Sequence, residues 1–166
     1  MGATRSPVSV PGPTGRRPWS TILLREWAAA KYPGQRLLEQ VRLGPTMAKL
    51  VGVEVTPALE AALRVNNWYA DGLIALEHEV LCIESKMKPN PGAVGQVLFY
   101  MRQMIATPDL QALMAIPFVP VVLFAEEDAT VSAWARQMGC RVEVYTPAWI
   151  GDWLTQVQFR NRVTAP

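Results

Sequence analysis

The chain has 166 residues, half of them apolar, 18% charged, and a net charge of +2. That length suits one compact domain with a real core, and no apolar run approaches the ~20 residues a bilayer crossing needs. Cys82, Cys140 and the single histidine, His78, all but exclude a Cys/His metal site or a His-dependent hydrolase, so any metal here must be hard and oxygen-ligated. The N-terminus lacks the apolar core of a secretory signal, so a cytoplasmic location and two free thiols are expected. A charge of +2 neither demands nor forbids a nucleic-acid partner.

Residues 1–19 read as an arm. Pro7, Pro11, Pro13 and Pro18 are mixed with Gly2, Gly12 and Gly15, and Arg5, Arg16 and Arg17 add charge. This composition favours extended or disordered chain. It serves either as a free tail or as a basic arm docking on a partner. A helix is expected from Ser20 to Lys31, with Ile22, Leu23, Trp27 and Ala30 on its apolar face, stopped by Pro33-Gly34. Leu37–Leu43 alternates as a strand and ends at Gly44-Pro45. Residues 46–56 are ambiguous, and Thr56-Pro57 opens a short helix to Val65.

Trp68–Leu76 and Val80–Lys86 are strand-like, and the short polar Glu77-His78-Glu79 between them makes a β-hairpin. Gly92–Ala106 turns helical, with Val94, Val97, Leu98, Met101, Met104 and Ile105 on one face. Pro117–Ala125 is an apolar strand buried on both faces. Ala129–Met138 is a helix, Arg141–Pro147 a strand and Trp149–Val157 a last helix. Trp149 and Trp153, four residues apart, pack that helix on the sheet, and residues 159–166 form a tail with Arg160 and Arg162. The order implies a single α/β domain over 20–158, with a mixed central β-sheet and helices on both sides.

The chemistry gathers on the hairpin. A turn around His78 puts Asp71 opposite Glu84 or Ser85, and strand alternation puts Glu84 and Lys86 on one face. Two close carboxylates repel unless a cation lies between them. Asp71, Glu84 and the Ser85 backbone carbonyl would supply part of an octahedral Mg²⁺ shell, completed by water and phosphate oxygens. Lys86 would then orient or deprotonate the attacking water, or stabilise phosphate charge. An ordinary strand-end ion pair is the competing reading of Glu84 and Lys86.

The runs Ala70–Gly72, Ile83–Lys86 and Gly95–Gln103 resemble the PD-(D/E)XK nuclease superfamily, nearest to its RecB-like and Holliday-junction-resolvase-like members and to small phage proteins of this layout. Ala70 stands where the motif's proline would be. The resemblance covers about residues 20–125 and implies a restriction-endonuclease-like core and a DNA nuclease dependent on Mg²⁺ or Mn²⁺. It makes Asp71 and Glu84 metal ligands and Lys86 the catalytic lysine, with Gln96 and Tyr100 one turn apart on the next helix, facing the site. Glu26 on the first helix would complete the acidic cluster, with Glu39 as its substitute. Lys88, Arg102 and Tyr100 would contact substrate. The implied setting is a host cytoplasm or a virion. The alternative is a non-catalytic structural or adaptor protein, such as a virion or connector component, assembling through the N-terminal arm.

Overall fold

The computed structural model describes residues 19–44, 56 and 68–163, the side chains of 158–163 excepted. The expected arm up to residue 18, the short helix at 57–65, the ambiguous stretch at 46–55, the side chains of Arg160 and Arg162, and residues 164–166 lie outside it.

The elements run α1 (Trp19–Lys31), β1 (Leu37–Leu43), β2 (Trp68–Ala75), β3 (Val80–Lys86), α2 (Pro91–Ile105), a 3₁₀ turn (Pro108–Leu113), β4 (Phe118–Phe124), α3 (Ala129–Gln137), β5 (Arg141–Val144) and α4 (Ile150–Val163). They form an α/β fold around one five-stranded sheet in the order β1-β2-β3-β4-β5. The pairs β1–β2 and β2–β3 are antiparallel, whereas β3–β4 and β4–β5 are parallel. The sheet is therefore mixed, as the order of elements implied. Pro120 is tolerated inside β4 because only Val121–Phe124 pair with β5, which leaves that side of Pro120 without a ladder partner.

Helices cover both faces. On one face, Ala93, Val94, Val97, Tyr100 and Met104 of α2 and Ala135 of α3 pack with Leu73, Cys82, Val122 and Phe124. On the other, Leu23, Leu24, Trp27 and Ala28 of α1 and Trp149 and Trp153 pack with Ile74, Leu81, Ile83, Val121 and Leu123. Each fully buried large side chain contributes roughly 1.5–3 kcal/mol. The centre of β3, buried on both faces, is thus the most firmly held element. Among the described residues, no helix is long and apolar enough to cross a membrane.

The structure shifts several expectations. Trp19 is the first residue of α1 and stacks 4.9 Å from Trp149, so it belongs to the domain and not to the arm. Ala30 is exposed, and Leu24 and Ala28 take its place in the buried stripe of α1. In α2, Ile105 is 62% exposed, while Tyr100, expected on the polar stripe, is buried. The last helix extends to Val163, beyond the expected Val157. Pro108–Leu113 forms a 3₁₀ turn that apolar periodicity did not announce.

Candidate metal site at the hairpin

The local sequence explains why the site forms at the end of β3. The hairpin pairs Gly72 with Ile83 and Leu73 with Cys82, and its ladder stops at Gly72. Asp71, the next residue, completes the connection with its side chain. Its Oδ2 accepts from the Ser85 amide at 2.8 Å and from the Ser85 hydroxyl at 3.1 Å. The Ser85 hydroxyl also donates to the Ser20 carbonyl of α1 at 3.1 Å under a different rotation, which ties the start of α1 to the site. Gly72 permits this approach. A Cβ there would meet Leu37 at 3.0 Å and Leu24 at 3.1 Å.

After Lys86 the chain turns sharply. The Asn90 side chain caps α2 by accepting from the Ala93 amide at 3.0 Å, and Pro91 opens the helix with its φ already suited to it. The helix then runs back over the sheet and buries Tyr100 beside Glu84.

Glu84 is the unusual member. It is 1% exposed. One oxygen, Oε1, lies 2.5 Å from the Lys86 ammonium, and the other, Oε2, is buried with no hydrogen-bond partner among the described residues. Burial and the nearby charge of Asp71 push its carboxyl up to about 7, and they outweigh Lys86 and the Tyr100 phenol, which act in the opposite direction. Tyr100 is itself held well above the usual phenol range by burial and by the charges of Glu84 and Asp71. Burial, reinforced by the same two carboxylates, also pushes the Cys82 thiol up to about 12, so this cysteine is a core residue and not a nucleophile.

The structure brings Asp71, Glu84, Ser85, Lys86 and Tyr100 together. A strand residue directs its own N–H and C=O to the same side, and the Ser85 N–H meets Asp71, so the Ser85 carbonyl faces the same gap. Gln96 is exposed on α2, one turn before Tyr100. Other candidates lie apart. The Glu26 carboxylate accepts from Trp149 Nε1 at 2.8 Å and serves the packing of α1 against the start of α4. Glu39 forms a two-point ion pair with Arg25, at 2.5 and 2.6 Å. Lys88 reaches over the ring of Trp153, 5.8 Å from its centroid, on the α1–α4 face. Arg102 is exposed on α2. Trp149 and Trp153 pack α4 on the sheet, as expected.

The acidic set is therefore a pair. Among the described residues, no group of three His, Cys, Asp or Glu side chains could hold a metal ion. Two carboxylates and a carbonyl still fit a hard cation that keeps several water or phosphate oxygens in its shell, which is the habit of Mg²⁺. The partnerless Glu84 Oε2 is the atom that asks for such a cation. Sequence reasoning missed Gln40, whose amide lies 3.4 Å from Asp71 Oδ1.

No protein-family model matches the chain, and no curated protein or solved structure matches it either.

Proposed function

We propose that the chain is a divalent-metal-dependent DNA nuclease with a restriction-endonuclease-like core of the PD-(D/E)XK type. One observation carries this reading: a carboxylate buried to 1% exposure, with one oxygen against Lys86 and the other unpartnered, beside a second carboxylate. A buried acid in that state is costly to ionise. A divalent cation removes the cost, which gives the arrangement a purpose that a structural ion pair lacks.

Asp71, Glu84 and the Ser85 carbonyl would hold Mg²⁺ or Mn²⁺. When bound, the ion supplies a Lewis acid that polarises the phosphate and activates water. The residues do the rest. The two donors of Ser85 fix one oxygen of Asp71 and leave Oδ1 turned toward Gln40. Tyr100 packs against Glu84 and keeps its carboxylate in place. The Lys86 side chain is 35% exposed, so its ammonium can turn from Glu84 toward water or a phosphate oxygen at the rim. There it would donate a hydrogen bond that orients the water or steadies the charge building on the phosphate as the P–O bond breaks. Gln96, on the exposed face one turn from Tyr100, would meet substrate.

A DNA-nicking assay with Mg²⁺ or Mn²⁺ tests the reading. The expected result is cleavage by the unaltered chain and a loss of about 10²–10⁴-fold in Lys86→Ala, with the circular-dichroism spectrum unchanged. Equal rates in the two proteins would remove the assignment. A second reading, a non-catalytic structural or adaptor role, draws on the engagement of Glu26 by Trp149 and of Glu39 by Arg25, which leaves two acids at the site. It predicts no turnover with either ion.

A further inference from the structure

Gln40 is the one non-glycine residue with positive φ among those described, at 49°. The left-handed region is uncommon for a residue with a Cβ, and glycine or asparagine would occupy it more readily. Its location is specific. Leu37, Leu38 and Glu39 pair with Ile74, Leu73 and Gly72, and Val41, Arg42 and Leu43 pair with Ala70, Tyr69 and Trp68. The level between them, Gln40 opposite Asp71, is missing from the ladder. The register is the same on both sides of the gap, so no residue is inserted and this is not an ordinary bulge.

The packing shows what happens there. Leu38 and Leu73 pack on the α2–α3 face, while Leu37 and Ile74 pack on the α1–α4 face. Strict alternation would then send Val41, Leu43 and Ala70 to the α1–α4 face. All three pack on the α2–α3 face instead. Both strands turn over at Gln40 and Asp71. Asp71 thereby leaves the in-and-out alternation, and its carboxylate lies toward β3, where it meets the Ser85 amide at 2.8 Å.

We infer that Gln40 is a positioning residue whose left-handed backbone turns β1 and β2 over at this level and aims the Asp71 carboxylate at Ser85 and the metal site. The metal part rests on the function proposed above; the aiming of Asp71 does not. The backbone carries the effect, because the side-chain contact with Asp71 is long at 3.4 Å.

The test compares Gln40→Gly and Gln40→Asn, which accept positive φ, with Gln40→Val and Gln40→Thr, whose branched Cβ resists it, and with Gln40→Ala, which removes the side-chain contact and keeps an unbranched Cβ. Two quantities are read on the full chain: hydrogen exchange of the Ser85 amide by NMR, and Mn²⁺ affinity by titration calorimetry with the metal alone. Gln40→Gly and Gln40→Asn should keep the Ser85 protection within about 3-fold and melt no lower than the unaltered chain, and Gln40→Ala should keep that protection within about 3-fold as well. Gln40→Val should lose protection at least 10-fold, with a matching loss of Mn²⁺ affinity, while exchange of the Leu81 and Ile83 amides stays put. Gln40→Thr carries the test if the valine variant does not fold. Unchanged Ser85 protection in the branched variant overturns the inference, and so does an equal loss in Gln40→Gly or Gln40→Ala. Ser85 protection that follows this order in a chain that binds no Mn²⁺ upholds the positioning and removes the metal reading.

Discussion

Strand β3 is flanked by an acid–base pair at each end, and the two pairs behave in opposite ways. At the turn end, Glu79 meets Arg141 of β5 through two parallel contacts of 2.7 and 2.8 Å, both side chains partly in solvent. That guanidinium holds the Glu79 carboxyl below its usual value. At the far end, Glu84 meets Lys86 at 2.5 Å, yet burial and Asp71 hold its carboxyl up at about 7. The Glu79 pair satisfies both carboxylate oxygens in the two-point geometry that suits arginine and leaves them partly in solvent. The Glu84 pair satisfies one oxygen, buries the other, and adds a second acid. The difference separates a fastening from the proposed metal site.

Breaking the pairs one at a time should expose this. The largest effect belongs to Glu84→Gln. It is expected to abolish metal-dependent cleavage and to stabilise the metal-free chain by about 1–3 kcal/mol at pH 8, because a neutral amide replaces a buried acid whose ionisation is disfavoured. Urea unfolding at pH 8 checks the second half; a destabilised variant would contradict it.

Titration sharpens the same contrast. Because folding raises the carboxyl of Glu84, the folded chain binds its proton more tightly than the unfolded chain does. Its contribution is fully present below the unfolded value of 4.5 and is lost as pH rises toward about 7. Glu79 has the opposite sign: its contribution is present above 4.5 and is lost as pH falls through its lowered value. Unfolding free energy of the metal-free chain between pH 5 and 8 should therefore decline in the unaltered protein and flatten in Glu84→Gln. A parallel decline in both would place the effect elsewhere. The smallest change belongs to Arg141→Ala, which should cost about 0.2–1 kcal/mol, as a partly exposed pair does, and leave cleavage within about 2-fold.

Much of this contrast was legible in the sequence. Apolar alternation, the short Glu77–Glu79 turn and the Pro-Asn-Pro-Gly break place Asp71, Glu84 and Lys86 at one end of a hairpin; the structure keeps them there and sets the Asp71 carboxylate against the Ser85 amide, an aim that register alone does not provide. What sequence could not give depends on long-range partners or on backbone strain. Glu26 sits on α1 as expected, but its partner, Trp149, is 123 residues away. Tyr100 reads as one turn from Gln96 on a polar stripe; only the packing of α2 on β3 shows that it faces Glu84 while Gln96 stays exposed. Gln40 gives no signal, since a glycine or asparagine would have marked the left-handed position and a glutamine does not.

The proposed site has Asp71 and Glu84 bind a divalent cation together. Calorimetric titration of Mn²⁺ into the unaltered chain, Asp71→Asn and Glu84→Gln at pH 8 tests it without reference to any substrate. Saturable binding by the unaltered chain and its loss in both variants are expected. Identical isotherms in all three proteins would contradict it.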